Sequence, residues 1–201
     1  MAEELNILIT GVGGQGVILM SELLGKAAVD DGLKVRGSEI LGMAVRGGAV
    51  VSIIRIGQGV FGPLIPEGKC DVLVGMEFAE ALRNIAYLSK SSLAVINSRK
   101  IIPYTVSLGL SPYPSYEQAL GKLRQAAGEV VVIDGDRLAR QAGGSLSTNI
   151  VMLGALFGTQ RLPIKTDTMR GTIKRRFPKQ AKINLKAFEL GYQACQWKGA
   201  T

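Results

Sequence analysis

"ITGVGGQGV", Ile9 to Val17, is the stretch on which the fold turns. An apolar run over residues 5–10 leads into it, and a helical pattern leads out. A buried strand that passes through glycines into a helix is the opening unit of an α/β fold. Gly11, Gly13 and Gly16 form G-x-G-x-x-G, with Gly14 and Gln15 between them. Glycines admit positive φ and close backbone approach, and a helix start offers free N–H groups and a positive dipole end. The loop therefore suits an anion. Dinucleotide-binding proteins use the same spacing, and place an acidic residue about 20 positions on for the ribose. Glu39 is a loose match, because a second glycine-rich loop follows it rather than a helix. Read alone, the loop is open between NAD, another phosphate or nucleotide group, and a purely structural or interface role.

The alternation continues outward. Val17, Met20, Leu24, Ala27 and Ala28 mark one helix face, which Asp30-Asp31-Gly32 ends. A strand over 34–39 precedes "ILGMAVRGG", 40–48, which reads as a long functional loop. A β-branched run over 49–56 meets a Gly-Gln-Gly turn at 57–59, with a return strand expected over 60–65. Strands are expected over 71–76, 93–97 and 129–134, with a helix from 77 through Leu88 and one after the capping box at Ser115 and Gln118. "PYTVSLGLSPYPS" reads as irregular, and helices are expected at about 135–142, 147–159, 167–176 and 180–197. "DGD" at 134–136 reads as a helix cap, and Ser147, Thr148 and Asn149 as caps of the helix that follows them. The hairpin expected at 57–59 breaks strict βαβ order, so the sheet is expected to be mixed. Residues 1–201 read as one domain.

Composition removes several kinds of chemistry. The chain has no histidine, so Ser-His and Cys-His nucleophile systems and histidine metal sites are excluded. Cys70 and Cys195 show no Cys-x-x-Cys, zinc or iron–sulfur spacing, read as small buried hydrophobes, and fit a reducing cytoplasm. No metal site is expected. No apolar run reaches the roughly 18 residues of a membrane span. The acidic "MAEELN" passes straight into a strand and does not read as a secretory signal. The net charge of +8 resides in residues 161–186, where nine basic residues face Asp167 alone. Such a segment suits phosphate, nucleic acid, an acidic protein, or simply a solvated helical face. With 5% aromatic residues and no recognised nucleic-acid motif, a nucleic-acid module is the weaker reading.

The second loop redirects the argument. Arg46 precedes Gly47 and Gly48, so a guanidinium stands beside exposed backbone donors, a pairing suited to phosphate or carboxylate. Glu39 is its possible ion partner. With "GVGGQGV" at 11–17, "SEI-GMA-RGG-VVS--RIG" within 38–57, "PLIPEGKCDVLVGMEFAEALR" at 63–83, "PYTV" after "INSRKII", "GGSLSTNIVMLGAL" at 143–156 and "KINLKAFELGY" at 182–192, nearly the whole chain resembles one family. It is similar to the gamma-type subunits of 2-oxoacid:ferredoxin oxidoreductases, and within them to the small subunit of the indolepyruvate type.

The resemblance implies a three-layer α/β/α fold with a mixed, mainly parallel sheet, like domain III of pyruvate:ferredoxin oxidoreductase. It implies oxidative decarboxylation of a 2-oxoacid with coenzyme A, giving acyl-CoA, carbon dioxide and reduced ferredoxin. A cofactor-bearing alpha subunit would carry thiamine diphosphate, Mg2+ and the [4Fe-4S] clusters. Its substrates would be arylpyruvates, and this chain alone would bind no cofactor. Gly11, Gly13, Gly14, Gln15, Gly16, Glu39, Arg46, Gly47 and Gly48 would then line anion-accepting loops that face coenzyme A or the partner, with Gln15 offering its side-chain amide. No catalytic residue is assigned. The chain departs from the family at Leu41 and Ile53, where histidine is common, so any role of those histidines is missing here. The competing readings are a stand-alone NAD(P)- or nucleotide-binding oxidoreductase and a basic nucleic-acid-binding module.

Overall fold

The computed structural model describes residues 4–42, 47–110 and 112–196. Its elements in chain order are β1 (Glu4–Val12), α1 (Val17–Asp30), β2 (Val35–Leu41), β3 (Ala49–Gly57), β4 (Val72–Gly75), α2 (Phe78–Arg83), β5 (Leu93–Asn97), α3 (Tyr104–Ser107), α4 (Tyr116–Ala126), β6 (Glu129–Ile133), α5 (Gly135–Ala142), α6 (Thr148–Gly158), α7 (Thr166–Arg176) and α8 (Ala181–Cys195). The strands form one sheet in the order β2-β3-β1-β4-β5-β6. β1, β4, β5 and β6 run parallel, while β3 lies antiparallel to both β1 and β2.

Period-2 side-chain alternation divides the core between the two faces. Ile7, Ile9, Val72, Val74 and Val95 meet α1, α5, α6, α7 and α8 on one face. Leu8, Leu73, Ala94 and Ile96 meet α2 and α4 on the other. Helices on both faces explain why the central strands read as largely apolar rather than alternating runs. The fold is the mixed, three-layer α/β/α arrangement that the resemblance implies. α6 is buried along its whole length. Its backbone touches that of α8 at glycines: a Cβ on Gly154 would lie 2.0 Å from the Phe188 carbonyl oxygen, and one on Gly191 would lie 1.9 Å from that of Val151.

The expected strand over 60–65 does not form. Both edges of β3 are occupied, by β1 and β2, so a strand returning from its end has no edge to pair with. Pro63 and Pro66 further lack ladder donors. The segment is tied down by a side chain instead, with Arg55 Nη1 donating to the carbonyls of Gly62 and Leu64 at 2.9 and 3.0 Å. The hairpin that makes the sheet mixed is β2–β3, and it encloses the second glycine-rich loop. That loop is shorter than expected, because β2 runs to Leu41 and Gly42 N–H still donates to Ala49. Inside the segment expected to be irregular, α3 forms a single turn.

The basic segment is partly self-neutralised. Arg161 pairs with Glu129, Arg170 with Glu189 and Asp167, and Arg175 with Asp30 across to α1. Lys174, Arg176, Lys179, Lys182 and Lys186 remain on the exposed surface.

Candidate functional site

α1 and α2 pack on opposite faces of the sheet. The connections leaving β1 and β4 therefore diverge, and a crevice opens beyond their carboxyl ends, where α/β sheets bind ligands. A chamber of about 300 Å³ occupies that place, lined by the glycine loop with Gln15, by Gly47 and Met76, by Arg99 and Ile101, and by Ser145, Leu146, Thr148 and Asn149. A second, more apolar groove of about 560 Å³ shares Val12, Gly13 and Gly14 with it. The groove runs past Ile18, Leu19, Leu41 and Val50 to Glu22 and Arg176.

Close packing shapes the first loop. A Cβ on Gly11 would stand 2.6 Å from Gln15 Oε1 and 2.8 Å from Met76 Cβ. Gly16 has φ +78° and would meet Asn149 Nδ2 at 2.3 Å. Gly14 also has positive φ, but its surroundings are open. The amide of Gln15 is engaged internally: Val12 N–H donates to Oε1 at 2.8 Å, and Nε2 donates to the Met76 carbonyl at 3.0 Å. It fastens the loop to the end of β4, so it is not the free donor expected from the sequence.

The structure brings the two glycine loops together. Gly13 N–H donates to Gly48 O at 2.8 Å, and Gly47 N–H to Gly13 O at 3.3 Å. Arg46 lies outside the described residues, so its place beside them is not part of this geometry. Glu39 is exposed on β2 opposite Ser52 and lines neither cavity. Leu41 is exposed and borders the groove, whereas Ile53 is buried in the core beneath α2 and α4.

The chamber's polar wall comes from Arg99, which sequence reasoning did not single out, and from residues it read only as helix caps. Arg99 follows β5 and donates through Nη1 to Asp136 Oδ1 at 2.9 Å. Asp136 also accepts from Thr148 Oγ1 at 3.0 Å and from Asn97 Nδ2 at 3.3 Å. Asp134 is the cap expected from "DGD", accepting from Arg137 N–H at 2.9 Å. The expected capping of α6 is not made by its side chains in that way. Ser147 Oγ donates to Asn184 Oδ1 at 2.9 Å, Thr148 turns to Asp136, and Asn149 Oδ1 accepts from the adjacent Ile150 N–H. Asn149 is 6% exposed, and among the described residues its Nδ2 has no hydrogen-bond partner. The signal for these residues was positional: Arg99 sits just past a parallel strand, and "GGSLSTN" is a second glycine-bearing entry to a helix.

Two helix starts, an arginine, an amide and two hydroxyls face one chamber, and such donors suit an anion; among the described residues its lining has no carboxylate, thiol or histidine. Burial pushes the Cys70 thiol up to about 12, and that of Cys195 up to about 11, so neither is a thiolate nucleophile at neutral pH. Two cysteines in the whole chain do not fit a four-cysteine cluster, and among the described residues no group of His, Cys, Asp and Glu could hold a metal ion. Below the chamber, Glu77 caps α2 by accepting from Glu80 N–H at 3.0 Å and also accepts from the Tyr113 hydroxyl. Burial holds the neighbouring Glu80 carboxyl above its ordinary range against the opposing pull of Arg83.

A family model described as pyruvate ferredoxin/flavodoxin oxidoreductase matches residues 6–194. Indolepyruvate oxidoreductase subunit IorB of Pyrococcus horikoshii is 42% identical, over 96% of this chain and 97% of its own. The gamma subunit of a keto/oxoacid ferredoxin oxidoreductase from Geobacter sulfurreducens superposes with a TM-score of 0.68 at 23% identity, covering 95% of this chain and 98% of that one. A 2-oxoglutarate:ferredoxin oxidoreductase from Magnetococcus marinus, solved with 2-oxoglutarate, coenzyme A and succinyl-CoA bound, gives a TM-score of 0.74 at 19% identity. The match covers 98% of this chain and 32% of that one. The two structures share the fold.

Proposed function

The chain belongs to the pyruvate ferredoxin/flavodoxin oxidoreductase family, and from that premise we propose that it is the small subunit of an arylpyruvate-type 2-oxoacid:ferredoxin oxidoreductase. The complex oxidises an arylpyruvate such as indolepyruvate with coenzyme A, releasing carbon dioxide and the acyl-CoA and passing electrons to ferredoxin. The large partner carries thiamine diphosphate, Mg2+ and the [4Fe-4S] clusters, which supply the carbanion chemistry and the electron path. In this reading the contribution of this chain is to bind and orient. The whole chain, 1–201, acts as one domain, in the cytoplasm. Among the described residues no helix is long and apolar enough to cross a membrane.

One observation carries the reading: a polar chamber and an apolar groove meet at a single glycine loop beyond β1. Coenzyme A has the matching form, an anionic nucleotide end joined to a long, nearly neutral arm. In this reading Arg99, Asn149 and the start of α6 take a phosphate. Gly11, Gly13, Gly14, Gln15 and Gly16 keep the passage open between chamber and groove. Gly47 and Gly48 brace that loop from the second one, and Glu39 lies on the partner-facing side. Leu146, 94% exposed at the chamber mouth, is covered by the large subunit.

Co-expression with the large subunit tests the proposal. A tag on either chain is expected to recover both, and arylpyruvate-dependent dye reduction is expected to need both chains and coenzyme A. If the large subunit shows full activity by itself, the proposal is lost.

A further inference from the structure

Resting on that reading, we infer that Asp136 is a positioning residue, which holds Arg99 at the chamber so that its guanidinium meets the anionic end of coenzyme A. Arg99 has 49% of its side chain exposed, and among the described residues its head hydrogen-bonds to Asp136 alone. A free arginine of this kind loses much rotamer entropy when a ligand fixes it. Asp136 is fixed before any ligand arrives. Its side chain is 17% exposed and also accepts from Thr148 and Asn97. The Asn97 amide is itself anchored, since Gly135 N–H donates to its Oδ1 at 3.0 Å. Arg99 reaches Asp136 through one nitrogen at 2.9 Å, and a guanidinium has five N–H donors. The remaining donors are left for an anion.

Two ordinary explanations of Asp136 fall short. The cap of α5 is already supplied by Asp134, so Asp136 is not needed to start that helix. A half-exposed ion pair adds little stability, so the Arg99 contact is not explained as a fold-holding bridge. What the contact does achieve is placement. Arg99 comes from the end of β5, and Thr148 from the start of α6. Asp136 joins the two at one edge of the chamber.

The test uses the assembled two-subunit complex in a steady-state assay with coenzyme A varied. Arg99→Ala is expected to raise KM for coenzyme A about tenfold or more, the loss of a charge-assisted contact. Asp136→Asn is expected to raise it about threefold to tenfold, with kcat and the KM for arylpyruvate within about twofold of the parent. In an Arg99→Ala background, Asp136→Asn is expected to add nothing, because it acts through the arginine. An equal further rise in that background would overturn the inference. So would an unchanged KM for Asp136→Asn beside a raised one for Arg99→Ala, an outcome that leaves the function standing. An unchanged KM in Arg99→Ala removes the chamber reading and the inference together. If Asp136→Asn does not assemble, guanidinium ion added to the Arg99→Ala complex replaces it as the readout. A cation held by Asp136 lowers the KM for coenzyme A, and absence of rescue overturns the inference.

Discussion

Two glycine-bearing turns line the polar chamber, and they hold their shape by opposite means. The first, residues 11–16, is held against main-chain groups: Gly11 and Gly16 pack where no side chain fits, and its one polar side chain, Gln15, bonds only to the backbone. The second, residues 143–149, is held by side chains, with Ser147 tied to Asn184 on α8 and Thr148 to Asp136 on α5. The difference teaches where the chamber's polar side chains come from. The motif-bearing turn spends Gln15 internally, while the less conspicuous one presents the Asn149 amide to the chamber and, through Asp136, is linked to Arg99.

The contrast is most exposed at Gly16. Gly16→Ala combines positive φ with a collision at Asn149, and is expected to destabilise the chain by about 3 kcal/mol. Gly14→Ala, with positive φ in open space, is expected to cost about 1 kcal/mol. Denaturant midpoints compare them, and equal losses would show that the two turns do not press on each other. Next in size is Gln15→Leu, which leaves Val12 N–H and the Met76 carbonyl without partners. A loss of about 2 kcal/mol is expected, and a silent substitution would mean the first turn is not fastened through its side chain. Ser147→Ala sharpens the other half. Removing the hydroxyl from Asn184 is expected to lower stability by about 1 kcal/mol while leaving Gly16→Ala's effect unchanged in the double variant.

The smallest effect concerns pH. Neither turn has an ionisable side chain, but Glu80 is buried beside the end of β1, where its backbone carbonyl accepts from Thr10. Its carboxyl is raised by burial, so the folded state favours the neutral form. The stability from neutral Glu80 is full below the ordinary carboxylate range and is lost as pH rises through its raised value. Glu80→Gln stays neutral throughout. Its melting temperature is expected to match the parent's in acid and to exceed it by a few degrees near neutrality. A difference that does not grow with pH removes Glu80 as the source.

Much of the architecture was legible because it rests on local physics. The strand at the start, the Asp134 cap and the capping box at Ser115 and Gln118 reappear in the structure with their partners in place. The strand over 60–65 was misread because its turn signal was sound while the edge it needed was already taken by β1. The site divided in the same way. The glycine loop announced itself by spacing, whereas Arg99 and Asp136 stand 37 residues apart and only the sheet order brings them together.

By itself, then, the sequence determined where most strands and helices lie, that the fold is α/β, and that neither histidine chemistry nor a four-cysteine cluster resides in this chain. These follow from side-chain periodicity, capping and composition, which act over a few residues or over none. Only the tertiary structure decided that Gln15 is consumed inside its own loop, that the glycine loop opens on both a chamber and a groove, and that an aspartate read as part of a cap holds an arginine. Each of those depends on which elements become neighbours, and that is settled by how two faces of one sheet bury their apolar area together.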